Sequence, residues 1–275
     1  MKREKGRMKN DRSKIMTQAN NNILAFMAHP DDVEFLCAGT LARLKQQGYQ
    51  LHIATMTAGD GGSTELPNEE IARIRYHEAE QAAALLDADY NCAHQRDFFV
   101  TYEQATIQAA IEIIRRANPI LVITHSPQDY MTDHEQTSLI VRAACFAASA
   151  PNAKTHADES APPLAAIPHL YYTDAIEGKD IFGNALTPSV YVDISAVIET
   201  KAAMLACHAS QRDWLLRQHG MDHYVESMKA WSVQRGSEIG VAYAEGFRQH
   251  LGHAYPQDNL LGELLGTVLG AVAPG

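Results

Sequence analysis

The sequence predicts an α/β fold: a Rossmann-like three-layer sandwich, with helices on both faces of a mostly parallel sheet, followed by a mainly helical C-terminal third. Three observations carry that prediction. From Asn22 onward short β-rich runs alternate with amphipathic stretches, as in sheets whose strands are joined by crossover helices. Two of the apolar runs end abruptly in histidine and acidic residues, as strands do when they deliver a ligand site to the carboxyl edge of such a sheet. Finally, 275 residues with 46% hydrophobic content are ample for a packed core. One domain is expected over residues 21–275, after a disordered basic arm at 1–20.

The first strand is NILAFMA, from Asn22, and EFLCAGTLARLKQQG follows as a helix closed by Gly48. QLHIATMT is the second strand and NEEIARIRYHEAEQAAALL the second long helix. A weaker strand lies near ADYNCAH, then a helix at EQATIQAAIEIIRRA and a strong strand, PILVITH. A helix over roughly 135–150 leads into SAPNAKTHADESAPP, whose Pro, Ala and Ser content marks an exposed excursion. HLYYTD and SVYVDI are two more strands. The remainder, rich in His, Trp and Tyr, reads as helical, with His208, Gln211, Tyr243 and Glu245 as candidates for a pocket wall.

Composition narrows the function. A net charge of −10 argues against nucleic acid and anionic membranes as partners and favours a neutral or cationic small molecule. Cys37, Cys92, Cys145 and Cys207 are scattered, so neither a disulfide framework nor a cysteine-type zinc site is indicated, and reduced cytoplasmic thiols are expected. The arm carries seven Lys or Arg without the apolar stretch of a secretory signal. Leu260 to Val272 is apolar but falls short of the ~20 residues of a membrane span. That segment is expected to pack on the body or on a neighbouring subunit, which allows a homo-oligomer.

Two clusters carry chemistry. In AHPDDVEF, His29, Asp31 and Asp32 follow a buried strand, and Pro30 stiffens the turn that holds them. In THSPQDYMTDHEQTS, His125, Asp129, Asp133 and His134 share one strand-to-helix connection. His29, one of the two adjacent aspartates and an imidazole from the second cluster would make two histidines and a carboxylate with an open position, as catalytic zinc sites have. One carboxylate ligates while the other faces substrate, and the residues leave open which is which. The competing structural reading is that Asp31 or Asp32 caps the helix that follows. TAGDGGS, Thr57 to Ser63, lacks a dinucleotide fingerprint, and its glycines allow close approach of a ligand to the backbone. A surface ion pair with Glu78 is the plain reading of Arg75.

Together AHPDDVEF, MTAGDGGS, RYHE (Arg75 to Glu78) and Asp133-His134 resemble the PIG-L/LmbE-like family of zinc-dependent N-acetylglucosaminyl de-N-acetylases, over about residues 22–250. The resemblance implies one Zn2+ held by His29, Asp32 and His134, with Asp31 as the base that takes a proton from metal-activated water. Iron, cobalt or manganese suit the same donors. It further implies removal of an acetyl or small acyl group from an N-acetylated amino sugar or glycoconjugate. Asp60 and Arg75 would contact substrate, a plain turn being the other reading of the Asp60 loop. Asp133 is placed either to orient a histidine from behind or to cap a helix. The family commonly reads His-Pro-Asp-His where this chain has Met131-Thr132-Asp133-His134. Met131 cannot donate a strong hydrogen bond to an oxyanion, which leaves Tyr130, His125 or His208 to compensate. The alternatives are an amidase acting on a non-sugar N-acyl substrate and a metal- or sugar-binding module without turnover.

Overall fold

The computed structural model describes residues 20–157, 159–211, 224–266 and 268–269. The basic arm expected at 1–20 lies outside the described residues except for Asn20.

Among the described residues eight strands form one sheet: β1 (Asn22–Met27), β2 (Gln50–Thr57), β3 (Asp89–Gln95), β4 (Leu121–Thr124), β5 (His169–Thr173), β6 (Val190–Asp193), β7 (Ala244–Gln249) and β8 (Val268–Leu269). Their order is β3-β2-β1-β4-β5-β7-β6-β8. The first five are mutually parallel, and β7 runs antiparallel to both β5 and β6. Chain order reverses between β1 and β4, where Ile23 lies opposite Leu51 on one side and Leu121 on the other. In open sheets of this kind the crevice outside the strand ends at such a reversal is where ligands bind. Both histidine clusters leave the sheet at that point.

Among the described residues the helices are α1 (Asp32–Leu36), α2 (Ala38–Gln46), α3 (Asn68–Ala84), α4 (Gln104–Ala117), α5 (Thr132–Ala148), α6 (Ile198–Ala206), α7 (Tyr224–Ile239) and α8 (Leu260–Leu265). Side chains alternate across β1. Ile23, Ala25 and Met27 enter one core with Leu41, Ala82, Ala202 and Met228 from α2, α3, α6 and α7. Leu24 and Phe26 enter the other with Ile111, Ile114, Ile140 and Val141 from α4 and α5. The period-2 pattern of a strand buried on both faces thus fixes the three layers.

Two elements differ from the expectation. The first helix is two, broken at Cys37 (φ −145°). At the break Glu245 of β7 accepts from the backbone N–H groups of Gly39 (2.9 Å) and Thr40 (2.7 Å), and Lys201 of α6 sits 2.5 Å from the same carboxylate. A carboxylate at a helix start satisfies donors that have no intrahelical partner. The C-terminal third also contributes strands, with β7 inserted between β5 and β6. Its sequence, AEGFRQ, has too little apolar alternation to be read as one. Leu261 of α8 is fully buried in the first core, so this part of the 260–272 segment packs on the body.

Candidate metal centre and cavity

β1 stops because the chain turns sharply at Pro30 and Asp31. Asp31 has φ 111°, a region that disfavours residues with a side chain. Arg75 of α3 holds the strained turn in place by donating to the Pro30 carbonyl (2.6 Å) and pairing with the Asp31 carboxylate (3.4 Å). Neither aspartate caps α1 with its side chain, so the capping alternative fails. Instead Asp32 folds back, its Oδ2 accepting from the His29 backbone N–H at 2.7 Å.

Around Asp32 stand three imidazoles. His29 gives Nε2 to Asp133 Oδ2 at 3.2 Å and turns Nδ1 toward Asp32 Oδ2 at 3.3 Å. His134, in the first turn of α5, gives Nδ1 to Asp129 Oδ1 at 2.9 Å and turns Nε2 toward Asp32 Oδ1 at 3.5 Å. A neutral imidazole that donates outward to a carboxylate keeps a lone pair on its inner nitrogen. Two lone pairs therefore face one carboxylate, acceptor against acceptor, an arrangement that a cation reconciles. The ligand atoms of His29, Asp32 and His134 lie within 4.8 Å of one another, and two imidazoles plus a carboxylate form a donor set that suits zinc. His125 donates Nε2 to Asp32 Oδ2 at 3.0 Å from beneath.

A second triplet, His125, Asp129 and His134, is equally compact. However, the His125 and His134 rings are stacked at 4.0 Å and 10°, which sets their nitrogens side by side rather than converging. Asp129 is also committed to the N–H groups of Met131 and Ile176.

Charge follows the geometry. Burial opposes ionisation of Asp32, yet His134 and His125 hold its carboxyl well below the usual range. Burial pushes Asp31 up, only partly opposed by Arg75 and reinforced by Asp32. Burial likewise opposes charge on His29, but its bonds to Asp133 and Asp32 raise it to about 10. Burial also opposes charge on His134, and Asp32 raises it. The pair of adjacent carboxylates is thereby split, one firmly ionised and one able to take up a proton, the pattern of an acid/base site. The imidazole shifts express the same demand for positive charge that a divalent ion would meet.

Above the cluster opens a cavity of about 320 Å³. His29, Asp31, Asp32 and His134 form its floor, and Arg75 and Tyr130, both expected to touch substrate, line it. Arg75 is 3% exposed and does not pair with Glu78, which instead accepts from Ser210 at 2.9 Å and 2.6 Å. The plain reading of Arg75 as a surface ion pair is therefore corrected. Three other candidates lie elsewhere. Asp60 spends its carboxylate on the Asp97 N–H (2.7 Å) and on Arg96 (3.0 Å), outside the cavity wall. His125 is fully buried under Asp32, and His208, 1% exposed, faces Glu34 at 3.4 Å.

Of the pocket-wall candidates, Gln211 lines the cavity, whereas Glu245 serves α2. Asp133 is where a supporting carboxylate must be, and the Phe98 N–H donates to the same oxygen at 2.7 Å. Sequence reasoning missed Phe35, Asp97, Phe98, Ile176 and Tyr224 in the wall. Phe98 has a left-handed backbone (φ 69°) just after β3, and nothing local in QRDFFV announces it.

Residues 24–145 match the family model described as PIG-L, GlcNAc-PI de-N-acetylase. Over that segment the chain is similar to the PIG-L family. Its relatives include diacetylchitobiose deacetylase of Thermococcus kodakarensis, 25% identical over 242 residues that cover 82% of each chain. 4-Oxalmesaconate hydratase of Pseudomonas putida is also 25% identical, over 249 residues covering 85% of this chain and 90% of that one. Among solved structures, N,N'-diacetylchitobiose deacetylase from Pyrococcus horikoshii, complexed with an inhibitor, superposes with a TM-score of 0.72 at 25% identity, covering 87% and 88% of the two chains. The matched PIG-L segment contains the whole cavity floor, while Ile176, Gln211 and Tyr224 in the wall lie beyond it.

Proposed function

We propose that the chain is a zinc-dependent N-deacetylase, a carbon–nitrogen hydrolase acting on linear amides, whose substrate is an N-acetylated amino sugar or glycoconjugate. The observation that carries this reading is the pair of imidazoles, each anchored from behind by a carboxylate, with both inner nitrogens facing Asp32. A zinc ion held by His29, Asp32 and His134 would supply Lewis acidity for the amide carbonyl and lower the pKa of a water to about 7. Asp31, on the cavity floor and outside that donor set, takes the proton from the attacking water and returns it to the departing amine nitrogen. Arg75 keeps Asp31 turned toward the cavity. Phe35, Phe98, Tyr130 and Tyr224 offer ring faces for a sugar or an acyl group.

Hydration of an acid, the reaction in the name of the Pseudomonas relative, is the second reading, and one feature weighs against it. Arg75 is the single Lys or Arg side chain among the described residues that line the cavity. It is committed to Pro30, Gly59 and Asp31, which leaves no free Lys or Arg among the described lining residues for a substrate carrying several carboxylates.

Acetate release from N-acetylglucosamine, N,N'-diacetylchitobiose and simple N-acyl amines, with and without zinc, tests the reading. Zinc-dependent release from the sugars supports it. Release from non-sugar amides alone would narrow it to an amidase, and zinc binding without any turnover would leave a binding module.

A further inference from the structure

Seven non-glycine residues among those described have a positive φ, and two of them, Asp31 and Phe98, line the cavity. For Asp31 the turn that presents it beside the donor set is reason enough. Phe98, at φ 69°, has no such reason. A left-handed backbone is unfavourable for a residue with a side chain, and burial does not offset it here, because Phe98 is 66% exposed.

The surroundings nevertheless hold Phe98 in place. Its N–H donates to Asp133 Oδ2 at 2.7 Å, the oxygen that also accepts from His29. Just before it, the Asp97 N–H donates to Asp60 Oδ1 at 2.7 Å, and Asp97 Oδ2 accepts from the Gly61 N–H at 2.8 Å. Just after it, the Phe99 N–H donates to the Arg96 carbonyl at 3.1 Å and closes the turn. The ring lies so close to Gly61 that a Cβ there would stand 2.5 Å from Phe98 Cε2. It is seated on backbone that only glycine leaves clear, with most of its surface open.

A strained residue held by several partners, its apolar ring kept out of the core, is placed to meet a ligand. The rest of the wall says which kind. Arg75 is committed to Gly59, Pro30 and Asp31, and Gln211 donates to the Gly62 carbonyl at 3.2 Å. With these polar groups engaged, Phe98 offers the substrate a ring face, which suits the flat C–H side of another ring. We propose that Phe98 is a specificity-determining residue, a platform on which the ring bearing the amide nitrogen stacks, so that the site selects a pyranose or similar saturated-ring amine over an open-chain one. The proposal rests on the deacetylase reading and names the part of the substrate that this wall recognises. Phe98 takes no part in bond making, so its loss belongs in substrate binding and not in turnover.

The test is Phe98→Gly, which removes the ring, keeps the N–H that Asp133 accepts and suits a positive φ. With whichever of N-acetylglucosamine and N,N'-diacetylchitobiose the wild type deacetylates, KM in the variant should rise about tenfold, as for one lost ring contact, with kcat within about threefold. Release from N-acetylethanolamine, an open-chain amide, should change by less than about threefold. Zinc content should hold, and the melting temperature should not fall, because strain is relieved as the platform is lost. Phe98→Tyr, which keeps a ring, should restore the wild-type KM. An active wild type whose Phe98→Gly variant keeps its KM for the sugar, loses kcat instead, weakens on both kinds of substrate alike or melts lower overturns the role of Phe98 alone. A wild type that releases acetate from none of these compounds overturns the deacetylase reading, and this role with it.

Discussion

Replacing Asp133 by asparagine probes how the protein would tune His29 as a metal ligand without touching any of the three proposed ligands. Asp133 Oδ2 accepts from both His29 Nε2 and the Phe98 N–H, so an asparagine oxygen in the same place keeps both hydrogen bonds. What it removes is the negative charge that makes the imidazole a stronger ligand. Burial opposes ionisation of Asp133, but the bonds from His29 and Phe98 hold its carboxyl below the usual range, so the charge is present at neutral pH. Loss of such a supporting carboxylate weakens metal affinity about 10- to 100-fold. With charge alone removed, Asp133→Asn belongs near tenfold. Asp133→Ala, which also orphans the Phe98 N–H, belongs near a hundredfold.

The effect is readable as stability. At free zinc equal to 100 times the wild-type Kd, binding stabilises the fold by about 2.7 kcal/mol; a tenfold weaker site retains about 1.4 kcal/mol and a hundredfold weaker one about 0.4 kcal/mol. Chelator competition gives the Kd directly, and melting with and without zinc gives the same ranking independently. If Asp133→Asn binds zinc within twofold of wild type, the carboxylate behind His29 does not tune the ligand and the reasoning is wrong.

Further outcomes follow from the same geometry. Asp31→Asn should bind zinc normally and lose about 10²- to 10⁴-fold in kcat; full turnover in that variant removes Asp31 as the base. His134→Ala should lose bound zinc and activity together, measured by metal analysis of the purified protein. Lys201→Met breaks a pair in which both side chains are nearly inaccessible and should cost about 3–5 kcal/mol. Lys201→Met combined with Glu245→Gln should recover much of that loss, because a neutral amide can still accept from α2. Chemical denaturation of both variants checks this, and equal losses would contradict it.

Much of this architecture was legible because its signals are local. NILAFMA and QLHIATMT are β-rich runs bounded by polar residues, and both form strands as read. His29 and Asp32, three residues apart, meet His134 because β1 and β4 are neighbours, which alternating elements with a chain reversal already imply. What stayed hidden depends on partners distant in sequence. The break at Cys37 needs Glu245, about 200 residues away, to cap α2. Arg75 and Glu78 share a helix and read as a pair, but the fold sends one into the cavity and the other to Ser210. Asp60 sits in a glycine-rich loop that reads as a ligand contact, yet the exit of β3 claims its carboxylate. The cavity wall draws on Phe35, Phe98, Ile176 and Tyr224 from four separate segments, and no short-range pattern in sequence joins them.

The central claim is that His29, Asp32 and His134 share one divalent ion. Anomalous diffraction at the zinc edge, from crystals of zinc-loaded protein, addresses it most directly. The account predicts one strong peak about 2.0–2.2 Å from a nitrogen of each histidine and an oxygen of Asp32. A peak bound instead by His125 and Asp129, or no peak at the Asp32 carboxylate in protein that carries stoichiometric zinc, would contradict it.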